Sequence, residues 1–193
     1  ELRALGHQRL DSGRWNKLCR ILDAWPGTES MRQEVIPYLT TALAGATIDP
    51  EKNTLYAPVS WLHRAFEGED LPQLALGKGI DIPVGLLLDH GGWGDLIGKL
   101  SHLKFIEINA YDKRDEPFLS RLELERFPNL EGLVIHWAQI GDSGARFLSR
   151  SEGLGKLTPL DLCGCNLGTS GARILTEAPW FSNLSWLSLE WNR

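Results

Sequence analysis

The sequence predicts an α/β repeat architecture, with parallel strands on one side, helices on the other and a helical segment in front. Three observations predict it. First, "IGDSGARFL" (140–148) returns as "LGTSGARIL" (167–175) at an offset of 27 (167 − 140 = 27), with six of nine positions identical. Second, "LKFIEI" (103–108), "LEGLVI" (130–135), "LTPLDL" (157–162) and "LSWLSL" (184–189) keep that period and hold apolar residues at their first, fourth and sixth places. Third, the apolar spacing changes after the glycines, where Ala145, Leu148 and then Leu154 mark the inner stripe of a short helix.

The fourth and sixth hexapeptide places point to one face of a strand. Each repeat is therefore a strand, a turn and a helix. One such unit cannot bury its own apolar face and must stack on its neighbours. The expected solenoid places its strands on the concave face and its helices on the convex face. It covers 71–193, with an irregular opening at 71–102, full repeats at 103–129, 130–156 and 157–183, and an incomplete one at 184–193. "LPQLAL" opens the irregular part, at an offset of 32 from the next start (103 − 71 = 32). The last segment, "LSLEWNR", carries a strand without its helix. That predicts further repeats, or self-association at an uncovered edge.

Residues 1–70 lack the repeat and predict a helical cap or a small helical domain. "RWNKLCRILDAW" (14–25) carries Trp15, Leu18, Cys19 and Leu22 at helical spacing and stops at Pro26-Gly27. "SMRQ" can form a capping box between Ser30 and Gln33, opening a helix with Val35 and Leu39. Pro37 should kink or restart that helix. "DPEKNT" (49–54) reads as a loop. "APVSWLHRAFEG" (57–68) reads as a helix with Val59, Leu62 and Phe66 on one stripe and Gly68 as its stop.

The repeats resemble the leucine-rich repeat family, in its long, helix-bearing, ribonuclease-inhibitor-like form. Leu130, Leu133, Ile135, Ile140, Gly144 and Leu148 carry the match, followed by Leu157, Leu160, Leu162, Leu167, Gly171 and Leu175. It is specific over 103–193. The family's Asn/Cys position after the strand holds Tyr111, Ala138, Cys165 and Asn192, so the loop hydrogen bonds it supplies are expected only in the later repeats. The resemblance implies a bacterial or intracellular protein whose commonest use is binding other proteins. Some relatives stimulate GTPases, but no arginine stands in the outward strand columns to mark that role here.

Bulk properties narrow the classes. The chain has 193 residues, a net charge of −5 and 42% hydrophobic residues. The acidic balance argues against a nucleic-acid-binding surface. The longest apolar run is "PVGLLL" (83–88), far short of the roughly 20 residues needed to span a bilayer. The charged start "ELRALGHQRLDSGRW" does not read as a signal peptide. Three cysteines, Cys19, Cys163 and Cys165, predict free thiols and a cytoplasmic setting. Eight tryptophans predict an aromatic core, an aromatic surface or both.

Several motifs resemble catalytic signatures. "GDSG" (141–144) matches the segment around the nucleophile of chymotrypsin-like proteases. A serine nucleophile needs a base within hydrogen-bond reach. In the repeat frame, Ser143 opens the convex helix while His136 follows the strand on the other side. Ser143 also recurs as Ser170, and Asp142 as Thr169, which makes all four helix-starting residues that can cap free N–H groups. "DHGGWG" (89–94) resembles the oxyanion segment of lipases, but no Gly-x-Ser-x-Gly elbow accompanies it. It reads as a loop between a strand and its helix, with Trp93 plugging the core. Cys163-Gly-Cys165 lacks the second ligand pair of a zinc site. His7, His63, His90, His102 and His136 show no metal-ligand spacing. No catalytic residue, cofactor or metal is therefore expected.

The outward strand positions define the expected working surface. The third-place residues are Phe105, Gly132, Pro159 and Trp186, and the fifth-place residues Glu107, Val134, Asp161 and Ser188. The seventh are Asn109, His136, Cys163 and Glu190, and the eighth Ala110, Trp137, Gly164 and Trp191. Neighbours in a column should lie about 5 Å apart. Trp137, Trp186 and Trp191 should cluster around a hollow left by Pro159, Cys163 and Gly164. Phe105, Glu107, Asn109, Val134, His136, Trp137, Asp161, Trp186, Ser188, Glu190 and Trp191 are the expected contacts. Aromatic residues flanked by acids fit a protein or peptide partner bearing basic and apolar groups. The expected function is non-enzymatic protein binding. An enzyme-assisting role and a scaffold assembling through its last repeat are the alternatives.

Overall fold

The computed structural model describes residues 11–44, 55–110 and 118–193. The expected loop at 49–54, His7 and Tyr111 lie outside the described residues. The chain divides into two compact units, Glu1–Ile80 and Asp81–Arg193. It is α/β, and every described strand pairing within each unit is parallel.

In the first unit, helix α1 (Ser12–Asp23) is capped by Asp11, whose side chain accepts from Arg14 N at 2.8 Å. Its buried stripe is the expected one, Trp15, Leu18, Cys19 and Leu22. The Trp15 indole N–H reaches Tyr56 O at 2.7 Å. The expected Ser30–Gln33 capping box does not form. Gly27 is the N-cap of the next turn, so Ser30 falls inside it. The Ser30 hydroxyl donates to Gly27 O and accepts from Trp25 Nε1, and Gln33 donates to Glu29. Pro37 neither stops nor restarts the helix, which runs on through it after a change of hydrogen-bond pattern. A π-helical turn (Met31–Val35) precedes α2 (Ile36–Ala42), and Pro37 sits in its first turn, where no N–H is required.

Helix α3 (Val59–Phe66) buries Trp61 and Leu62, while Val59 and Phe66 stay half-exposed. The stripe turns towards Trp61 because that ring is the largest apolar group and its N–H finds Asp23 at 2.6 Å. Strand β1 (Tyr56–Ala57) pairs with the start of β2 (Gly79–Pro83), with Tyr56 opposite Gly79. Lys78 N also donates to Leu55 O at 2.8 Å. Residues 71–80, expected to open the repeats, are therefore tied into the first unit.

The second unit contains the repeats. Helix α4 (Val84–Asp89) follows β2 directly, so "DHGGWG" joins two helical segments instead of a strand and a helix. Trp93 does plug the core. It is 1% exposed, donates to Leu122 O at 2.9 Å and meets Phe127 edge-on. Strands β3 (Phe105–Asn109), β4 (Gly132–His136), β5 (Pro159–Asp161) and β6 (Trp186–Ser188) pair in chain order. Phe105 faces Gly132, Leu133 faces Leu160, and Pro159 faces Trp186. The sequence period is therefore the register of the sheet at every step.

The strands alternate as predicted. Ile106, Ile108, Leu133, Ile135, Leu160 and Leu162 are buried, and the intervening residues form an open face. Ala145, Leu148 and Leu154 on the helical side are buried too. Trp180 is 3% exposed and donates to Leu148 O at 3.1 Å, so a buried ring satisfies its one polar atom on the neighbouring coil.

Helices α5 (Gly141–Ser149) and α6 (Thr169–Thr176) carry the repeated "GDSG" and "GTSG". Neither motif caps its own helix by a side chain. Ser143 Oγ donates back to Ile140 O at 3.1 Å. Asp142 reaches forward instead, and its Oδ1 accepts from Gly168 N, the N-cap of α6, at 2.8 Å. Any Cβ at position 171 would come within 2.5 Å of that carboxylate, so the glycine of "GTSG" makes room for it. The repeated tetrapeptide is a fastener between coils.

A pair of variants separates these roles. Asp142→Ala should lower unfolding free energy by about 1 kcal/mol, the usual cost of losing a helix cap. Ser143→Ala should stay within about 0.5 kcal/mol of the parent, as an exposed hydroxyl bonded within its own turn. Urea melts of both variants check this, and equal effects would contradict the fastener.

Candidate functional site

The open face of the second unit gathers polar groups around Asp161. Its Oδ2 lies 2.9 Å from His136 Nε2, and its Oδ1 accepts from Cys163 N at 3.0 Å. Asn109 Nδ2 donates to Asp81 Oδ1 at 2.9 Å and makes a longer contact of 3.4 Å to Glu107. Asp81, Glu107 and Asn109 thus form one hydrogen-bonded group and His136 and Asp161 a second on the same face, whose charges act on Glu107. Burial raises the Glu107 carboxyl above its ordinary range, and Asp81 and Asp161 add to this, while Asn109 and His136 oppose it. Asp81 was not legible beforehand. It stands one position out of the repeat frame set by Glu107, and only the alternation Ile80-Asp81-Ile82 signals it.

A His–Asp pair beside a cysteine resembles the parts of a nucleophilic site. The thiol is wrong for that chemistry. Burial, then Asp161 and Glu190, push the Cys163 thiol up, whereas a nucleophilic cysteine needs a lowered value. Burial likewise pushes Cys165 up to about 12, and its thiol lies 3.1 Å from Ile135 O. All three cysteines are free. Among the described residues, no group of three or more His, Cys, Asp or Glu is placed to hold a metal ion, and no helix is long and apolar enough to cross a membrane.

The tryptophans divide differently from expectation. Trp137 and Trp191 come together, with ring centroids 6.4 Å apart and planes tilted by 41°. They are 39% and 75% exposed, so neither folds into the core. Trp186 is 51% exposed and opens β6, whereas Trp191 lies beyond the end of that strand, in a turn. The expected hollow at Gly164 is occupied. A Cβ there would meet the Trp137 ring at 2.5 Å, so that ring lies directly on the Gly164 backbone. Phe105 likewise lies across Gly132, with its ring 2.3 Å from where a Cβ would be. Val134 and Ser188 are half-buried on the same face, and Glu190 is exposed.

The backbone explains the ledge. Trp137, Gly164 and Trp191 share one place in the repeat and all adopt left-handed φ, at +58°, +66° and +56°. At this place in the repeat the N–H also reaches the next coil, in Ala110 without the left-handed φ. Ala110 N donates to His136 O, Trp137 N to Cys163 O and Gly164 N to Glu190 O, all at 2.9–3.0 Å. Only glycine takes this conformation without cost; two bulky residues hold it at on the order of 1–2 kcal/mol each. The strain is stored where the rings are presented. Beyond it, Asn192 Nδ2 donates to Leu162 O and Leu189 O while its Oδ1 accepts from Leu167 N, anchoring the turn after Trp191.

No known family model matches the chain, and no curated protein is significantly similar to it. The chemistry of the face therefore rests on its own residues. Its charged groups are carboxylates, its exposed bulk is indole, and its most reactive atom is a suppressed thiol.

Two measurements follow. Gly164→Ala should destabilise the protein by about 2 kcal/mol or more, through left-handed strain and collision with Trp137. Trp137→Gly keeps the backbone that Gly164 already adopts and should stay within about 1 kcal/mol of the parent; the reverse order in thermal melts would contradict the ledge. The folded state also favours protonated Glu107, a contribution present at low pH and lost as pH rises through the raised value. Glu107→Gln should therefore melt higher than the parent at pH 7, with the gap closing below the ordinary carboxylate range. A gap independent of pH would contradict the network.

Proposed function

We propose that the second unit is a leucine-rich repeat solenoid of the ribonuclease-inhibitor-like type, and that it works as a non-enzymatic protein-binding module in the cytoplasm. A sheet register equal to the sequence period, and the helical return of each repeat, support the architecture. The open strand face, concave in such a solenoid, is the binding surface.

One observation carries the binding reading. Trp137, Trp186 and Trp191 are the large hydrophobic side chains left exposed among the described residues, and all three belong to this face or its rim. Buried tryptophans such as Trp93 and Trp180 satisfy their N–H groups on backbone carbonyls of the fold. Trp137 and Trp191, held by a strained backbone, present apolar area with little backbone freedom to lose on binding. Tryptophan is enriched among residues that dominate interface energy.

The test is affinity capture from cells that make the protein, with the Trp186→Ala/Glu190→Ala double variant as control. Partner capture should fall at least tenfold while the melting profile is retained, because both side chains are exposed. Capture at unchanged affinity would remove the open face from the binding account.

A further inference from the structure

The observations identify the occupant of the tryptophan ledge by its chemistry, on the reading that the open strand face binds protein. The outward positions of β3–β6 and their immediate extensions carry three carboxylates, Glu107, Asp161 and Glu190, and no lysine or arginine. Asp81 adds a fourth carboxylate through Asn109. Lys104, at the start of β3, is paired with Glu131. Arg193 follows Trp191 closely, and its backbone N–H is held by Leu167 O. The face is complementary to positive charge.

The carboxylates differ in what already occupies them. Asp161 is held by His136 and Cys163 N, and Asp81 takes the Asn109 amide. Glu190 is exposed, and among the described residues its carboxylate accepts no hydrogen bond and joins no ion pair. It directly precedes Trp191, the most exposed ring of the pair. An uncommitted carboxylate is therefore carried by the residue next to an exposed ring. That combination matches a guanidinium, which stacks flat on indole and offers several donors to a carboxylate. A 6.4 Å centroid separation with a 41° tilt leaves no slot between the rings, so the guest lies on their outer surface.

We propose that the ledge of Trp137 and Trp191 over Gly164 seats an arginine side chain of an extended basic peptide segment, with Glu190 taking its guanidinium. The other carboxylates extend the attraction along the face towards further basic residues of the same segment. A neutral sugar is the competing guest for exposed tryptophans, and the experiment includes it.

Isothermal calorimetry on the full chain, with capped hexa-arginine, hexa-lysine and hexa-serine peptides and with cellohexaose, tests the proposal. Hexa-arginine should give saturable heat, hexa-lysine should bind several-fold more weakly, and hexa-serine and the sugar should not bind. Trp191→Gly and Glu190→Gln should each weaken hexa-arginine binding about fivefold or more, the scale of a cation–π contact or an ion pair. Trp191→Gly keeps its left-handed backbone, so its unchanged melting profile certifies folding. The proposal is overturned if hexa-arginine gives no saturable heat, if both variants bind it as the parent does, or if the sugar binds in a Trp191-dependent way. A neutral peptide, selected from a random library, that binds the parent and is lost in Trp186→Ala/Glu190→Ala would leave the protein-binding face standing and remove the arginine assignment. Failure of every peptide, whatever its charge, would remove both.

Discussion

The second unit depends on one interaction, the backbone hydrogen bond from each coil to the next. Within the strands it makes the register equal to the sequence period at every step. It continues past them, because the N–H groups of Ala110, Trp137 and Gly164 each find a carbonyl on the following coil, at His136, Cys163 and Glu190. A parallel pair holds no tight turn, so the return must cross the other layer through a helix. The repeated strand–helix unit is the consequence. Side chains then follow from the ladder. Ile106, Leu133 and Leu160 stack inward, and Glu107, Val134 and Asp161 outward, because their backbones have no other registration.

The ladder also fixes what the face can do. It brings carboxylates from adjacent strands close to each other, and burial makes that proximity costly, as the raised Glu107 carboxyl records. Beyond β4, β5 and β6 the chain passes through a left-handed residue, where glycine belongs and two tryptophans stand. The stability given up in both places is returned by the leucine core and the fastening of coils. Negative charge and exposed indole are thereby brought together on one face.

Much of this was legible because repetition magnifies weak signals. One Leu-x-x-Leu-x-Leu hexapeptide is ambiguous; four at one period set the strands and their register. "GDSG" lost its catalytic meaning once "GTSG" followed it. What escaped the sequence lies between repeats. Asp142 fastens Gly168 across coils, and nothing in its own segment marks that reach. Asp81 joins the face one position out of step with the period and so fell outside the frame. In the first unit, Gly27 took the cap position expected of Ser30, because the turn began earlier than the side-chain pattern indicated. The grouping of the tryptophans was half legible. Their columns placed Trp137 and Trp191 in one line, but only the left-handed backbone shows that Gly164 between them is a seat for a ring.

The central claim is that the coil-to-coil ladder continues through the left-handed positions and so holds the tryptophan rings outward. Residue-resolved amide hydrogen exchange tests it most directly. The N–H groups of Trp137 and Gly164 should exchange as slowly as those within β4, although Trp137 carries an exposed side chain. Exchange of these two amides at the rate of an unstructured loop, with β4 still protected, would contradict it.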